Sequence, residues 1–296
     1  MKLAAFSGVF IEHSMQEAMQ LTKKLGLDGI EIAAREPHLP PNASLARVRE
    51  AKALARSLGL DIPVLAGYAG GFSDVGDGEA QSGLEEFKKL LEIAGHLDCG
   101  MVRVFPGGPN AFLASDYHYA KAAHWLNLCA EEAKKHQVKV LMEIHNDSLV
   151  ETVDGSLRLL GMIDYDNVGI IHDAGNMYIT DTDYGRESVL KLGDRLFHVH
   201  IKDELRIDEV GAPGTFTSLT RHGEEKFLHS RLGEGGADHR PLFDALREVG
   251  YSGWMTLECH APFPAYERLE HDLNVVRGML AAPGGRNGNP FAAHSE

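Results

Sequence analysis

Four side chains of the kinds that bind metal ions stand at regular places in the second half of the chain. Successive apolar runs, each typical of a buried strand, end with Glu143, Asp173, His200 and Glu258. One acidic residue at such a place is often a helix cap or half of an ion pair. Three carboxylates from neighbouring strand ends would repel one another strongly unless a cation lay among them. The placement therefore predicts one divalent metal ion bound by these four residues.

The types of these ligands narrow the choice of ion. Three carboxylates and one imidazole form a hard, oxygen-rich set, which suits Mn²⁺ and Mg²⁺. We expect Mn²⁺; Co²⁺ is usable, and Zn²⁺ more often brings additional histidine or cysteine ligands. Coordination positions that the protein leaves open would accept a neutral substrate with two oxygens in chelating reach.

The stretch that contains His200 alternates strictly between apolar and polar residues. Its polar face carries His198, His200 and Lys202 and would point into a sheet or barrel, where unpaired polar groups are costly. We expect His198, one layer deeper, to be a core histidine with its own partner. His145 and His260 each lie two residues beyond a proposed ligand, and either a substrate contact or a plain rim position fits them.

Three further residues near predicted strand ends have less specific interpretations. Glu31 ends the second strand and either contacts substrate or stabilises a loop. Arg103 is expected to point inward and pair with a carboxylate. Cys259 alternates away from Glu258, which argues against a nucleophilic role.

Short apolar runs and longer amphipathic stretches alternate along the whole chain. Strands are predicted at 3–6, 29–33, 61–65, 101–105, 138–144, 168–172, 195–203 and 254–259, and helices at about 14–25, 45–58, 82–97, 117–136 and 266–280. This spacing favours parallel strands joined by crossover helices. Eight such units predict an α/β protein with a (β/α)₈ TIM barrel as one domain over residues 1–282. A doubly wound sheet is the alternative, but no G-x-G-x-x-G follows the first strand.

Two segments depart from the repeating unit. Residues 204–240 are long and polar, and in a barrel they would lie at the C-terminal face after strand seven. They are either a lid or substrate wall, or a plain surface loop. The tail 283–296 is expected to be an extended or disordered arm, whose Asn289-Pro290-Phe291 segment docks on a second subunit of a homo-oligomer.

Composition limits the partners and the compartment. The net charge of −14 opposes binding to nucleic acid, and no apolar run approaches the roughly 20 residues that span a membrane. Three scattered cysteines are too few for a disulfide framework and fit a reducing cytoplasm. We therefore expect a cytoplasmic protein that acts on a small molecule.

The order and context of the four proposed ligands resemble a known superfamily. The texts LMEIHN, HDAGN, HVHIKD and MTLEC are similar to those of the sugar phosphate isomerase/epimerase superfamily, the xylose-isomerase-like TIM barrels, over about residues 1–280. Within it the chain looks nearest to the ketose 3-epimerases, hydroxypyruvate isomerases and inosose dehydratases. The resemblance implies that the four residues bind the metal. It also implies that Glu143 and Glu258 move the proton, one on each face of the substrate.

The same resemblance suggests which residues contact the substrate and shows where this chain differs from the family pattern. Where ketose 3-epimerases have a substrate-binding histidine, this chain has Asn176, whose amide forms hydrogen bonds but does not titrate. Arg206 lies six residues after His200, as does a substrate-contacting arginine of those epimerases. Lys202 matches the HxKD form of other branches, including the dehydratases. The chain thus combines features of several branches.

Four functions are compatible with the sequence. The first is a metal-dependent isomerase or epimerase of an unphosphorylated sugar or polyol, which removes a proton beside a metal-chelated carbonyl to give an enediolate. The second is an inosose-type dehydratase, a lyase with the same first step. An endonuclease-IV-like hydrolase and a non-catalytic sugar-binding barrel are less favoured.

Overall fold

The computed structural model describes residues 1–282. The expected arm 283–296, with its docking segment 289–291, lies outside the described residues. The predicted domain boundary at residue 282 therefore stays a prediction.

Eight parallel strands close into a barrel, and three more form a separate small sheet. The strands are β1 (Lys2–Phe6), β2 (Gly29–Ala33), β3 (Leu65–Gly70), β4 (Met101–Phe105), β5 (Lys139–Glu143), β6 (Val168–Asp173), β7 (Leu196–Ile201), β8 (Asp203–Ile207), β9 (Thr215–Thr220), β10 (Gly223–Ser230) and β11 (Trp254–Leu257). The barrel order is β1-β11-β7-β6-β5-β4-β3-β2. The prediction of a (β/α)₈ barrel is confirmed.

Helices connect the strands and cover the outside of the barrel. They are α1 (Met15–Lys24), α2 (Leu45–Leu58), α3 (Asp77–Leu97), α4 (Asp116–Lys135), α5 (Val153–Leu160), α6 (Ala174–Ile179), α7 (Arg186–Leu192), α8 (Arg240–Glu248) and α9 (Ala265–Ala281). Local signals set several of the ends. Ser14 and Glu17 form a capping box at the start of α1, and Gly59 ends α2 in the left-handed conformation.

The third strand lies later than the sequence predicts. Pro63, inside the predicted run 61–65, lacks an N–H and cannot donate to a ladder, and the strand begins at Leu65. It continues to Gly70, five residues beyond the predicted end of the strand at residue 65. Glycine is needed there because a Cβ on Gly67 would lie 2.5 Å from the carbonyl oxygen of Arg103 on β4. Helix α3 likewise begins at Asp77, before the predicted start near residue 82.

The barrel interior is divided into an apolar and a polar layer. Val64, Leu141 and Ile171 form a buried apolar cluster inside the barrel. Closer to the carboxyl ends of the strands, the buried side chains are polar or charged, among them Glu31, Arg103, Glu143, Asp173, His198, His200, Thr256 and Glu258. The apolar layer closes the barrel, so chemistry is confined to its C-terminal face.

The segment after β7 is a folded sheet, so a plain surface loop is the wrong interpretation. Its strands are antiparallel in the order β8-β10-β9. The side chain of Asn146, after β5, donates to Ser218 Oγ at 3.0 Å, and that of Asn110, after β4, donates to the carbonyl of Leu219 at 3.1 Å. The sheet is therefore attached to the loops of the C-terminal face. Within residues 1–282, no helix combines the length and apolar character needed to cross a membrane.

Candidate metal centre and adjoining cavity

The four predicted ligands meet at the carboxyl ends of β5, β6, β7 and β11. One possible ligand atom from each residue lies within 4.8 Å of all the others, in Glu143, Asp173, His200 and Glu258. The register explains this convergence, because Asp173 pairs with His200 on one side and Thr256 pairs with His200 on the other. All four side chains are buried. Their role as metal ligands stays a prediction.

His200 faces the carboxylates with one ring nitrogen and a fifth acid with the other. Its Nδ1 lies 2.8 Å from Glu258 Oε2, 3.2 Å from Glu143 Oε1 and 3.8 Å from Asp173 Oδ2, while Nε2 lies 3.1 Å from Glu31 Oε2. A carboxylate behind a histidine fixes its orientation and tautomer. Burial alone would lower the pKa of His200, but Glu31 and the other acids raise it well above its ordinary value. Glu31 thus aims Nδ1 at the cluster.

The other ligands are also held by neighbouring side chains. Glu143 forms a buried ion pair with Arg103, in agreement with the expectation for that arginine. Asp173 Oδ1 accepts the backbone N–H of Asn176 at 2.9 Å and so caps α6, while Oδ2 lies 3.3 Å from Lys202 Nζ. Glu258 Oε1 lies 3.3 Å from Nε2 of His260. These contacts fix the direction of each carboxylate before any ligand arrives.

Burial and neighbouring charges shift the pKa values of these acids by different amounts and in different directions. Burial raises the pKa of Asp173 to about 7, Lys202 opposes the rise, and the neighbouring glutamates add to it. Burial also acts to raise the pKa of Glu143, but Arg103 and His200 outweigh it and hold that pKa below its usual range. The unequal shifts show how strongly these acids depend on the cations beside them.

The donor set fits one divalent ion. Two buried oxygens, Asp173 Oδ2 and Glu258 Oε2, accept no well-aligned hydrogen bond within residues 1–282, although Lys202 Nζ lies 3.3 Å from the first and His200 Nδ1 lies 2.8 Å from the second. Buried carboxylate oxygens without a well-aligned hydrogen bond are costly, so a cation bound between these two would stabilise the cluster. The charges of the buried side chains also favour a divalent ion, because four carboxylates face only two permanent cations. The carboxylates are Glu31, Glu143, Asp173 and Glu258, and the cations are Arg103 and Lys202. A charge of +2 would balance the cluster when its histidines are neutral.

A cavity of about 370 Å³ opens onto this cluster. Glu143 and Glu258 line it together with His145 and His260, and its other walls are formed by Phe6, Arg35, Gly67, Tyr68, Arg103, Val104, Phe105 and Pro106. This volume is at the lower end of the range for small-molecule sites. The two carboxylates proposed for proton transfer therefore face space that a small ligand can enter.

The other predicted substrate contacts do not line this cavity. Asn176 is buried and donates to the carbonyl of Ile144 at 2.9 Å. Lys202 packs against Gly175, where a Cβ would lie 2.6 Å from the lysine Cγ. Arg206 pairs with Glu225 at 2.9 Å, within the small sheet. None of the three predicted contacts lines the cavity in the described structure, and their roles in substrate binding stay predictions.

Two residues of the cavity wall have no role predicted from the sequence. Arg35 lies two residues past the end of β2, and Tyr68 lies in β3, three residues beyond the predicted end of that strand. The sequence signal that could have identified them is their position within or just beyond the carboxyl end of a strand, where barrel active sites lie. His198 lies deeper, with Nε2 at 3.0 Å from Glu31 Oε2 and 2.9 Å from Thr256 Oγ1. This is the partnered interior position expected for it.

Comparisons with known proteins place this barrel in a family. A family model described as xylose isomerase-like TIM barrel matches residues 19–278. An inosose dehydratase of Lactiplantibacillus plantarum is 31% identical over 149 residues, which cover 49% of this chain and 47% of that protein. The chain thus spans about half the length of this curated relative.

Solved structures of the same fold cover nearly the whole chain. The probable 3-DHS dehydratase of petrobactin synthesis from Bacillus anthracis has a TM-score of 0.76 and 21% identity, covering 94% of this chain and 99% of that one. A D-allulose 3-epimerase from Methylomonas sp. has a TM-score of 0.74 and 19% identity, covering 95% and 98%. At these identities the likeness concerns the fold alone. Since the family model matches most of its residues, the chain belongs to the xylose isomerase-like TIM barrel family.

Proposed function

We propose that the protein is a divalent-metal-dependent isomerase or epimerase of a small sugar or polyol-derived ketose, with Mn²⁺ as its ion. The observation that carries the proposal is the meeting of Glu143, Asp173, His200 and Glu258 beside the cavity, where two buried carboxylate oxygens accept no well-aligned hydrogen bond within the described residues. A bound divalent ion would polarise a substrate carbonyl and the hydroxyl next to it.

The protein's own carboxylates would move the proton. Glu143 and Glu258 both line the cavity, and their strands are separated in the barrel by β6 and β7. They therefore approach a ligand from different directions. One glutamate removes the proton beside the carbonyl and the other returns it to the opposite face, which gives an epimer. Return of the proton to the neighbouring carbon gives an isomer.

A dehydratase is the second candidate. The inosose dehydratase relative supports it, as does the HxKD sequence around Lys202. The same proton removal would then be followed by loss of a hydroxyl group from the next carbon as water. A nucleic-acid hydrolase is disfavoured by the net charge of −14 and by Asn176, and a non-catalytic barrel by the two glutamates in the cavity. A cytoplasmic location and homo-oligomer formation stay predictions.

The test is solvent exchange during turnover. Protein loaded with Mn²⁺ is incubated in heavy water with a panel of ketoses and inososes, and products are examined by NMR and mass spectrometry. An epimerase or isomerase gives product that carries deuterium, whereas a dehydratase gives product lighter by one water. Glu143→Gln and Glu258→Gln should each lower kcat by roughly 100- to 10,000-fold, because the base is lost while size is kept.

A matched control is Glu151→Gln, which changes a buried carboxyl that does not line the cavity. This variant should retain most of the activity. Near-normal turnover in either of the two cavity variants would exclude transfer by paired glutamates. Rearrangement without any solvent exchange would point to hydride transfer instead.

A further inference from the structure

Arg35 lies on the wall of the cavity without an acidic partner. Its side chain is exposed, and among the ion pairs of the described residues it has none. The contrast with Arg47 is clear, since that guanidinium donates to both carboxylate oxygens of Glu36, the residue next to Arg35, at 2.9 and 2.8 Å. The chain contains 43 acidic residues and only 29 basic ones, so an arginine left unpaired at a cavity is notable.

Tyr68 connects Arg35 to the proposed metal site. The guanidinium carbon of Arg35 lies 5.1 Å from the centre of the Tyr68 ring, and that of Arg103 lies 5.0 Å from it. All three residues line the cavity. Cation–π contacts of this kind orient a guanidinium group and leave its N–H edge available to a ligand. One wall of the cavity is therefore cationic, beside a floor made of carboxylates.

The two arginines differ in how far their charge is neutralised. Arg103 pairs with Glu143 and donates from Nε to the carbonyl of Gly67 at 3.3 Å. Arg35 has no such compensation in the described structure, so the wall carries about one uncompensated positive charge. A single carboxylate matches that charge, and the planar fork of an arginine fits its two oxygens. A phosphate dianion would bring more charge than this wall balances.

We propose that Arg35 binds a carboxylate of the substrate, so that the substrate is a keto sugar acid with its carbonyl end at the metal cluster and its carboxylate on Tyr68's side of the cavity. This assignment of substrate class rests on the proposed function, because it uses the same cavity. It gives Arg35 the role of choosing between acidic and neutral sugars of one carbon skeleton. Arg103 supports the orientation of Tyr68 and remains paired with Glu143.

The test uses three ligands that differ at one carbon only. D-Fructose, D-fructuronate and D-fructose 6-phosphate share carbons 1 to 5 and carry a hydroxymethyl, a carboxylate or a phosphate ester at carbon 6. Their dissociation constants for the Mn²⁺-loaded protein are measured by titration calorimetry. The wild type is compared with Arg35→Ala, with Arg35→Lys, and with Arg186→Ala, which removes an exposed arginine of α7 that is paired with Glu248.

D-Fructuronate should bind the wild type roughly tenfold to a hundredfold more tightly than D-fructose. Arg35→Ala should bring that ratio close to one by weakening the binding of D-fructuronate far more than that of D-fructose, and Arg35→Lys should keep part of the preference. Salt should reduce the preference, because the subsite is open to solvent. Arg186→Ala should bind all three ligands as the wild type does.

Three outcomes would overturn the assignment. These are equal binding of the acid and the ketose, binding of neither, or a preference for the acid that survives in Arg35→Ala. Tighter, Arg35-dependent binding of the phosphate ester would replace the carboxylate with a phosphate. If neutral ketoses exchange protons with solvent but acids bind no better, the proposed function stands and the subsite fails. If acids bind through Arg35 but no C–H bond exchanges, the subsite stands and the isomerase function fails.

Discussion

Glu31 is a buried carboxylate that contacts two histidines of one barrel strand. It ends β2, and both ring nitrogens that it contacts, Nε2 of His198 and Nε2 of His200, belong to β7. Burial raises its pKa, but the two histidines outweigh that effect and lower the pKa to about 2. A permanently charged acceptor is therefore present behind His200. Its effect on the proposed metal binding would be indirect, through the direction of the imidazole.

Glu31→Gln should weaken Mn²⁺ binding by roughly 10- to 100-fold, because an amide is a poorer acceptor and fixes the histidine tautomer less firmly. The measurement is competition with a fluorescent chelator. Glu151→Gln serves as the control, since it alters another buried carboxyl with no contact to His200. Unchanged affinity in Glu31→Gln would show that the ring is oriented without this contact.

At the scale of elements, one side chain ties the small sheet to the barrel. Asp203 begins β8 directly after the barrel strand β7 and is buried. Its two carboxylate oxygens accept four backbone N–H groups, at 2.9 to 3.1 Å, from Glu204, Gly233, Gly235 and Ala237. The segment that follows β10 is thus wrapped around this carboxylate. Gly235 is required because a Cβ there would lie 2.2 Å from Asp203 Oδ1.

Asp203→Ala should lower the free energy of unfolding by about 3 kcal/mol or more, because it leaves several buried N–H groups without acceptors. Urea denaturation followed by circular dichroism measures the change. Asp208→Ala, at the exposed end of the same sheet, should change stability by less than about 0.5 kcal/mol. Similar losses in both variants would contradict a specific anchoring role for Asp203.

A second contact between elements makes stability depend on pH. His38, in the loop after β2, is buried with Nδ1 3.0 Å from Ser7 Oγ, and Ser7 Oγ accepts the N–H of Ala33 at 2.8 Å. Burial lowers the pKa of His38 to about 4, from 6.5 when exposed. The unfolded chain therefore binds the proton more readily between these values. Stability should fall as pH decreases through 6.5 toward 4.

The contribution of His38 should reach at most about 1.4 kcal/mol per pH unit within that interval. The measurement is the free energy of unfolding at a series of pH values for the wild type and for His38→Asn, whose amide nitrogen can replace Nδ1. The variant should show a shallower loss of stability on acidification. An identical pH dependence in the two proteins would mean that His38 stays uncharged in both states or charged in both.

At the scale of the whole molecule, folding and metal binding are expected to be coupled. The four proposed ligands come from strands spread over residues 143–258 and meet only when the barrel closes. The unfolded chain has no comparable site. Three of the four ligands are acids, and the buried cluster has excess negative charge, so the metal-free barrel carries electrostatic strain that a divalent ion would relieve.

Mn²⁺ at about 100 times its dissociation constant should add roughly 2.7 kcal/mol to the free energy of unfolding. Thermal unfolding of protein treated with chelator and then titrated with the ion tests this. Mg²⁺ should need higher concentrations, since this smaller ion demands near-ideal octahedral geometry and gives up its water ligands reluctantly. In His200→Ala the stabilisation should largely disappear, and full stabilisation of that variant would exclude the proposed ligand set.

The sequence by itself determined the barrel and the place of the proposed ligands. Both are written in local patterns: strands and helices alternate at a regular spacing, and each of Glu143, Asp173 and Glu258 follows an apolar run. In a barrel of parallel strands, the carboxyl ends of all strands lie on one face, which brings these residues together. Local patterns predicted strand bounds less well where one residue interrupts the backbone hydrogen bonding between strands. Pro63, which has no N–H to donate, lies just before β3 and is an example.

Only the tertiary structure decided which residues surround the ligands. Glu31 and His200 are 169 positions apart and meet across the barrel, a contact that no local pattern encodes. The same holds for Arg35 and Arg103, which come together over Tyr68 on the cavity wall. For Arg206, the position six residues after His200 suggested a substrate contact. In the structure, the pairing of β8 with β10 gives Arg206 an ion pair with Glu225 instead. The physical reason is that side-chain neighbours depend on strand order, barrel closure and register, which act between residues far apart in the chain.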